Sequence, residues 1–377
     1  MAKKRSTAKR VNSLLKKSSS AKKTGNKKIQ SLWNPYTDGI TFSFIQKFFA
    51  CRERTRLGYV EGWRPKSFKI ALEFGNIFHE MKDVFYRRNE FSIEKAKMAA
   101  NSYVEKKIKR NNFSGAELVE LDQLRALCHT TFFEYVKHWF KHPSFSQKSK
   151  TFADDKIQWV HLERKFKFPF KLSNGKSIFL TGKIDGELLD PTVRSKSYRI
   201  LENKTKQKIE EFDVEQALKK DCQTMIYTLA NQEEYGKCPS GVLYNVIRRT
   251  SLKPRVKDSY ADFCDRVGAD IRSRPDFYFM RWRVDITQQD VDIFVQRTLD
   301  PMLCEIVDWW ESIKENPFNP WTEKGTPKKN ALHFERPFGM YENNQRDPAN
   351  DFAEIVGEGD YSRYEQRDVC FPELEEE

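Results

Sequence analysis

The segments IFLTGKIDGELLD (residues 178–190) and YRILENKTK (residues 198–206) decide the predicted fold of this 377-residue chain. Successive residues of a strand point to opposite faces of a sheet, so the second segment places Glu202 and Lys204 on one face. An Asp-Pro dipeptide and polar residues after the first segment are typical of a turn. The two segments therefore predict a hairpin that presents Asp185, Glu202 and Lys204 side by side. The face opposite Asp185 in the first segment is apolar and consists of Ile178, Leu180, Ile184 and Leu188.

Two carboxylates and one ammonium on adjacent strands can hold a divalent cation beside a phosphodiester. Hard cations such as Mg²⁺ prefer carboxylate and carbonyl oxygens. A bound cation makes a nucleophile from water, and a nearby lysine can orient that water. The alternative interpretation is a solvated strand pair with a surface salt bridge, because these residue types are common on exposed faces. The surrounding sequence has to decide between the two.

The preceding residues predict a third strand next to the hairpin. Residues 157–170 alternate in strand fashion, and Asn174-Gly175 is the strongest hairpin signal in the chain. We therefore expect a meander of strands at about 158–170, 177–189 and 198–205. Glu163 lies opposite the apolar row of the first strand and could add an acidic group, although the sequence favours a structural role for it.

A histidine stands on a predicted amphipathic helix in FGNIFHEMKDVFYRR (residues 74–88). His79 projects about a third of a turn away from the buried stripe of this helix. Gly75, one turn earlier, leaves room for another group to approach. A histidine in this position is more often a surface or satisfied core residue than a ligand. The buried stripe consists of Phe74, Phe78, Met81 and Phe85.

The rest of the chain predicts helices on both sides of a sheet. Residues 92–110 and 116–140 indicate two helices of an insertion spanning about 92–142. Residues 213–236 predict a helix of about six turns, with Gln223 and Tyr227 four residues apart on one face. Two further strands and a capped helix follow. This order indicates an α/β (α+β) fold with a mixed central sheet flanked by helices and an N-terminal helical portion.

Most of the net charge of +13 lies in a short N-terminal arm. Residues 1–28 contain eleven lysines and arginines and no acid, which leaves +2 for residues 29–377. The arm lacks the apolar content to fold and could hold nucleic-acid phosphates in a salt-dependent way. We therefore predict a disordered basic arm at 1–32, a folded domain at 33–315 and an irregular extension at 316–377 with an acidic end.

The sequence favours an intracellular protein without a membrane segment. No apolar run approaches 18 residues, and the N-terminus lacks the apolar region of a secretory signal. Seven cysteines occur singly, which is typical of a reducing compartment. We expect a cytoplasmic location in a bacterial or phage-infected cell, or a nuclear location in a eukaryote.

Five separated pieces together resemble the RecB-like branch of the PD-(D/E)XK nuclease superfamily, which includes phage exonucleases and CRISPR-adaptation nucleases. The resemblance covers roughly residues 40–315. It implies a restriction-endonuclease-like core within residues 33–315. The pieces are an early helix ending at Cys51, GNIFHE with His79, GKIDG with Asp185, ILENKTK with Glu202 and Lys204, and CQTMIY with Gln223 and Tyr227.

The resemblance also implies a role for each matching residue. Asp185 and Glu202 would be metal ligands, together with the backbone carbonyl of Asn203. His79 would be a nitrogen ligand, which favours Mn²⁺ more than an all-oxygen site does. Lys204 would position or activate the attacking water and stabilise charge on the phosphate. Gln223 and Tyr227 would orient Lys204 or contact the DNA backbone.

Many members of this branch carry an iron–sulfur cluster, held by one early cysteine and three near the C-terminus. Cys51 stands at the early position, but only Cys370 follows Cys304. The thiolates that a cluster needs are missing, so we expect no cluster. Cys51 is then predicted to be a small buried hydrophobic residue.

The implied function is a Mg²⁺- or Mn²⁺-dependent DNA nuclease. The leading expectation is an exonuclease that acts on DNA ends or single strands in recombination, repair or phage DNA processing. One alternative is a non-catalytic nucleic-acid-binding protein on the same fold, as the basic arm suggests. Another is an endonuclease component of a helicase-linked complex. The chain contains no GxxxxGK[ST] phosphate loop, so a helicase or recombination partner would have to supply an ATP-driven motor.

Overall fold

The computed structural model describes residues 31–66, 70–111, 113–142, 145–147, 150–193, 197–207, 214–314, 352 and 360–375. The predicted basic arm up to residue 30 and most of the predicted extension lie outside the described residues. In chain order, the described helices are α1 (Phe42–Ala50), α2 (Arg52–Thr55), α3 (Ile70–Tyr86), α4 (Ile93–Arg110), α5 (Gly115–Lys141), α6 (Val214–Leu218), α7 (Cys222–Tyr235), α8 (Tyr260–Ser273), α9 (Pro275–Tyr278), α10 (Gln288–Phe294) and α11 (Asp300–Ile313). The strands are β1 (Trp63–Pro65), β2 (Phe145–Gln147), β3 (Lys150–Phe152), β4 (Trp159–Lys171), β5 (Ser177–Leu189), β6 (Tyr198–Lys206), β7 (Gly241–Arg248), β8 (Phe279–Asp285) and β9 (Tyr364–Gln366).

A five-stranded mixed sheet in the order β4-β5-β6-β7-β8 forms the centre of the fold. β4, β5 and β6 are antiparallel neighbours, which is the meander expected from the sequence. β7 runs parallel to β6, and β8 is antiparallel to β7. A parallel pair needs a crossover connection, and the segment carrying α6 and α7 provides it. The predicted α/β architecture with a mixed sheet flanked by helices is confirmed.

The turn between β4 and β5 fixes the register of the first hairpin. Gly175 has a φ of +84°, a conformation that glycine adopts without steric cost. Its N–H donates to the carbonyl oxygen of Leu172 over 3.0 Å, and the Leu172 N–H donates to Lys176 over 2.9 Å. The Asn-Gly signal therefore places the turn where the sequence predicts it.

Apolar side chains pack on both faces of the sheet. Neighbouring residues of a strand point to opposite faces, and in β7 Val246 and Ile247 belong to two different apolar clusters. The first cluster includes side chains of α1, α7, α10 and α11. The second includes side chains of α3, α4, α5 and α8, so the two helices predicted at 92–110 and 116–140 pack over the second face.

The predicted single apolar face of β5 is wrong at one end. Ile184 packs in the first cluster, as do Ile178 and Leu180, whereas Leu188 packs in the second. The change of face occurs around Asp185. The facing strand is distorted at the same level, because Glu163 has a φ of +53°, which is uncommon for a residue with a side chain. The two acids therefore lie at a local irregularity of the β4–β5 hairpin.

The long helix predicted at residues 213–236 is two helices. Asp221 separates α6 from α7 because it adopts an extended conformation, with a φ of −68° and a ψ of 121°. Its carboxylate accepts a hydrogen bond from the Thr224 N–H over 2.8 Å and so caps α7. Gln223 and Tyr227 both lie on α7, so their expected spacing is kept.

The described C-terminal segment at 360–375 packs against residues 59–65. β9 pairs with β1 in an antiparallel register, and the rings of Tyr59 and Phe371 lie 5.7 Å apart. Phe371 is buried in the first apolar cluster. No helix in the described part of the chain is long and apolar enough to cross a membrane.

Candidate metal centre

Three side chains from three different elements converge at the irregularity of the hairpin. His79 comes from α3, Glu163 from β4 and Asp185 from β5, and one ligand atom of each lies within 4.8 Å of the others. His79 Nδ1 lies 3.2 Å from Glu163 Oε1. One imidazole nitrogen and two carboxylate oxygens form a donor set that suits a divalent cation. These three residues could therefore hold a metal ion.

A glycine lets α3 lie close to the sheet at this point. A Cβ atom on Gly75 would stand 3.1 Å from the Thr205 Oγ1 atom of β6, which is a tight contact. His79 follows Gly75 by one helical turn and faces the acids of β4 and β5. The group for which Gly75 leaves room is thus the end of β6, and this close approach brings the imidazole to the sheet.

Glu163 contributes more than the sequence indicated. The sequence favoured a structural role, but the structure places the Glu163 carboxylate between two cationic groups. Its Oε1 atom faces His79, and its Oε2 atom lies 2.7 Å from the Lys183 ammonium. Burial alone would raise the pKa of Glu163, but His79 and Lys183 outweigh burial and hold the pKa below its ordinary value. Glu163 therefore presents a charged carboxylate beside Asp185.

The electrostatics of His79 and Asp185 are mutually dependent. Burial alone would lower the pKa of His79, but the carboxylates of Asp185 and Glu163 outweigh burial and raise it. Burial raises the pKa of Asp185, against the opposing effect of His79. The Asn203 N–H donates to Asp185 Oδ2 over 2.8 Å and also favours the charged carboxylate. A divalent cation bound by these side chains would displace the extra proton from the imidazole. The cation would then supply the positive charge that the two carboxylates attract.

Glu202, the predicted second ligand, lies outside this group of three. Its side chain is buried, and its Oε1 atom lies 2.5 Å from the Lys204 ammonium as an ion pair. Neither carboxylate oxygen accepts a hydrogen bond of good geometry from the described residues. Glu187 on β5 is an instructive contrast, because this equally buried carboxylate accepts hydrogen bonds from Arg164, Asn231 and Tyr235.

Buried carboxylates normally have several hydrogen-bond partners. The sequence has provided such partners for Glu187 and not for Glu202. Glu202 lacks these hydrogen bonds, and the negative charge of nearby Asp185 adds to burial in raising the pKa of Glu202. A carboxylate of this kind fits a centre that receives a cation.

This environment predicts that the metal-free protein becomes less stable as the pH rises. Burial and the Asp185 carboxylate raise the pKa of Glu202 from 4.5 to about 8. Between these values the native state keeps a proton that the unfolded state releases. Each pH unit in this window therefore lowers the free energy of unfolding by up to about 1.4 kcal/mol.

Urea unfolding between about pH 5 and pH 8 in the presence of a chelator measures this effect. The Glu202→Gln variant cannot titrate at this position and should lose less stability over the same range. Parallel pH profiles of the wild type and the variant would contradict the prediction.

The two predicted helix residues are connected to Lys204. The Lys204 ammonium donates to Gln223 Oε1 over 2.6 Å, and Gln223 Nε2 donates to the Tyr227 hydroxyl over 2.9 Å. Tyr227 is buried, and burial raises its pKa well above the ordinary value. Lys204, Gln223 and Tyr227 thus form one hydrogen-bonded chain that fixes the position of the ammonium beside Glu202.

A buried polar network on the other face of β6 supports the centre. The side-chain oxygen of Asn203 accepts hydrogen bonds from Lys82 and from Asn245, the second over 2.9 Å. Arg281 in turn donates to Asn245 Oδ1 over 2.8 Å and pairs with Asp154 at 2.5 Å. Because Asn203 also binds Asp185 through its N–H, this network fixes the main chain that holds the acid.

Sequence reasoning missed most of this network. Two signals could have indicated it. Lys82 follows His79 by three residues and so lies on an adjacent face of the same helix. Asn245 is a single amide within the otherwise apolar strand VLYNVI, and a buried amide requires partners.

Cys51 is buried, as predicted, with an exposed fraction of 8%. Its Sγ atom accepts a contact from the Arg54 N–H at 3.5 Å, so the residue caps α2. The group of possible metal ligands identified among the described residues contains no cysteine.

Comparison with known proteins finds no family model that matches the chain and no curated protein of significant similarity.

Proposed function

We propose that this protein is a metal-dependent DNA nuclease with a PD-(D/E)XK-type, restriction-endonuclease-like core. The observation that carries the proposal is the convergence of His79, Glu163 and Asp185 next to the Glu202–Lys204 ion pair. A binding protein has no need of a buried, under-bonded carboxylate beside a cluster of possible metal ligands.

The order of the elements supports the same proposal. The acids and the lysine lie on a sheet hairpin, and the helix that follows carries Gln223 and Tyr227. This is the arrangement that the sequence resemblance implies. The contacts from Lys204 to Gln223 and on to Tyr227 agree with a helix that positions the lysine.

The side chains divide the chemistry between them. His79, Glu163 and Asp185 would hold a Mg²⁺ or Mn²⁺ ion, and Glu202 and the Asn203 carbonyl are the further ligands that the resemblance implies. When bound, the ion supplies Lewis-acid polarisation of a phosphoryl oxygen and a nucleophile from water. Lys204 is held as an ammonium by Glu202 and Gln223, so it donates a hydrogen bond and a positive charge to the phosphate.

A cleavage assay on a panel of substrates tests the proposal. End-labelled linear duplex, single-stranded, nicked and circular DNA are incubated with Mg²⁺, with Mn²⁺ or with a chelator, and RNA serves as a further substrate. An exonuclease releases nucleotides from linear DNA with either ion, leaves closed circles intact and is inactive with the chelator. Cutting of circles indicates an endonuclease. DNA binding without product under every condition would favour the non-catalytic binding protein.

Lys204→Met is predicted to reduce turnover on the order of 10²–10³-fold, because the ammonium stabilises charge in the transition state. Binding of Mn²⁺ should persist, since the ligands at His79, Glu163 and Asp185 are unchanged. Single-turnover cleavage measures the first effect, and isothermal titration with Mn²⁺ measures the second. Lys171→Met, at an exposed lysine of β4, is the matched control and should cleave like the wild type. Loss of Mn²⁺ binding in Lys204→Met would contradict the assigned role.

A further inference from the structure

The loop that follows β7 carries a cluster of exposed cations. We call residues 249–258, with the sequence RTSLKPRVKD, the basic loop. Lys253, Arg255 and Lys257 are exposed, and Val256 between them is fully exposed. A single exposed apolar residue is normal on a protein surface, so the three cations determine the character of the loop tip.

Hydrogen bonds within the basic loop and from α8 fix its conformation. Arg266 of α8 donates to the Lys253 carbonyl oxygen over 3.0 Å and to Asp258 Oδ2 over 3.0 Å. The Asp258 carboxylate also accepts the Arg255 N–H over 3.1 Å, and the Asp258 N–H donates back to the Arg255 carbonyl. Leu252 packs against the second apolar cluster. The bracing holds the exposed cations in a fixed arrangement.

The same contacts leave the basic loop with an excess of positive charge. Asp258 is the one acid in the loop sequence, and Arg266 from outside the loop neutralises it. The three exposed cations of the tip therefore act as a concentrated positive patch.

The basic loop begins at the C-terminal end of β7, beside the end of β6 that carries Lys204. β6 and β7 are parallel, Lys206 is paired with Arg248, and the Arg249 N–H donates to the Lys206 carbonyl over 2.8 Å. Lys204 precedes Lys206 by two residues, or about 7 Å along an extended strand. That length is on the order of two nucleotides of a stacked strand. Lys206 is exposed, and its ammonium lies 5.8 Å from the centroid of the Tyr244 ring on β7.

We propose that the basic loop binds the phosphate backbone of nucleic acid next to the metal centre, through Lys253, Arg255 and Lys257. The inference rests on the proposed function. If the substrate is a nucleic acid, its phosphate backbone is the polyanion that passes the ends of β6 and β7. A chain of cations from Lys204 through Lys206 to the loop holds the strand on one side of the scissile position.

A binding experiment without cleavage tests the loop separately from the nuclease activity. The full-length chain with Asp185→Ala is combined with Lys253→Glu, Arg255→Glu and Lys257→Glu, and its binding to a fluorescent single-stranded 20-mer is followed by anisotropy. The control carries Lys97→Glu, Lys106→Glu and Lys109→Glu, which reverse three exposed charges on α4. The N-terminal arm is present in both proteins, so the difference between them reports the loop.

The loop variant is expected to bind at least about tenfold more weakly than the control. The slope of log affinity against log salt concentration should be smaller by about two, because fewer counterions are released on binding. Equal affinity and an equal salt slope in the two variants would overturn the proposal for the loop. Failure of the wild type to cleave any substrate would instead overturn the proposed function and leave the binding result valid.

Discussion

Replacing Asp185 by alanine is expected to abolish cation binding and DNA cleavage together. Asp185 belongs to the group of possible ligands with His79 and Glu163, and its charge also acts on the buried Glu202, so its loss removes the acid that these groups share. Cleavage should fall by at least about 10³-fold, because both the ion and the charge stabilisation that it supplies are lost. Mn²⁺ affinity should fall by more than about 100-fold, which is the upper range for losing a supporting residue alone.

Two variants make this result specific. Glu163→Gln keeps the hydrogen bond to His79 but removes one negative charge, and it should weaken Mn²⁺ binding less than Asp185→Ala does. Glu187→Gln changes an equally buried carboxylate that is bound by Arg164 and Asn231, and it should affect stability more than metal affinity. Isothermal titration with Mn²⁺ and single-turnover cleavage, performed on each folded variant, separate these outcomes. Wild-type cleavage by Asp185→Ala would exclude the metal centre as the catalytic site.

The hairpin and the order of the sheet could be predicted because their determinants are local. Asn174-Gly175 specifies a turn, and strict alternation specifies the strands on both sides of it. Alternation also placed Glu202 and Lys204 on one face, where their side chains form an ion pair. The interruption at Asp221 was equally local, since an aspartate three residues before Thr224 is a capping pattern, but the apolar periodicity on both sides concealed it.

The composition of the candidate metal centre could be predicted only in part. His79 and Asp185 converge as the resemblance implied, but Glu163 joins them because its backbone adopts a positive φ. Alternation along β4 gives no sign of this conformation, which depends on the pairing with β5. The partners of Lys82 and Arg281 were also out of reach, because Asn203, Asn245 and Asp154 are far apart in the sequence and meet only across the folded sheet.

Replacing Asp154 by alanine is expected to destabilise the protein by about 3–5 kcal/mol, because it leaves a buried guanidinium without its counter-charge. Asp154 is fully buried, pairs with Arg281 at 2.5 Å and accepts the Tyr86 hydroxyl hydrogen bond over 2.6 Å. Arg281 is itself buried over the Trp139 ring at 3.9 Å, so it cannot turn its charge to solvent without losing this packing. Urea unfolding at pH 7 measures the loss.

The effect of the unpaired charge on stability can be separated from the effect of the lost side-chain volume. Removing both charges in Asp154→Ala with Arg281→Met should recover part of the stability lost in Asp154→Ala alone, since a methionine can remain on Trp139 without an unpaired charge. Asp122→Ala, which breaks an exposed pair with Arg125 on α5, should cost less than about 1 kcal/mol. If the double variant were no more stable than Asp154→Ala, the loss of stability would come from packing. The Asp154–Arg281 ion pair would then not be what holds Asn245 and its strand β7 in place.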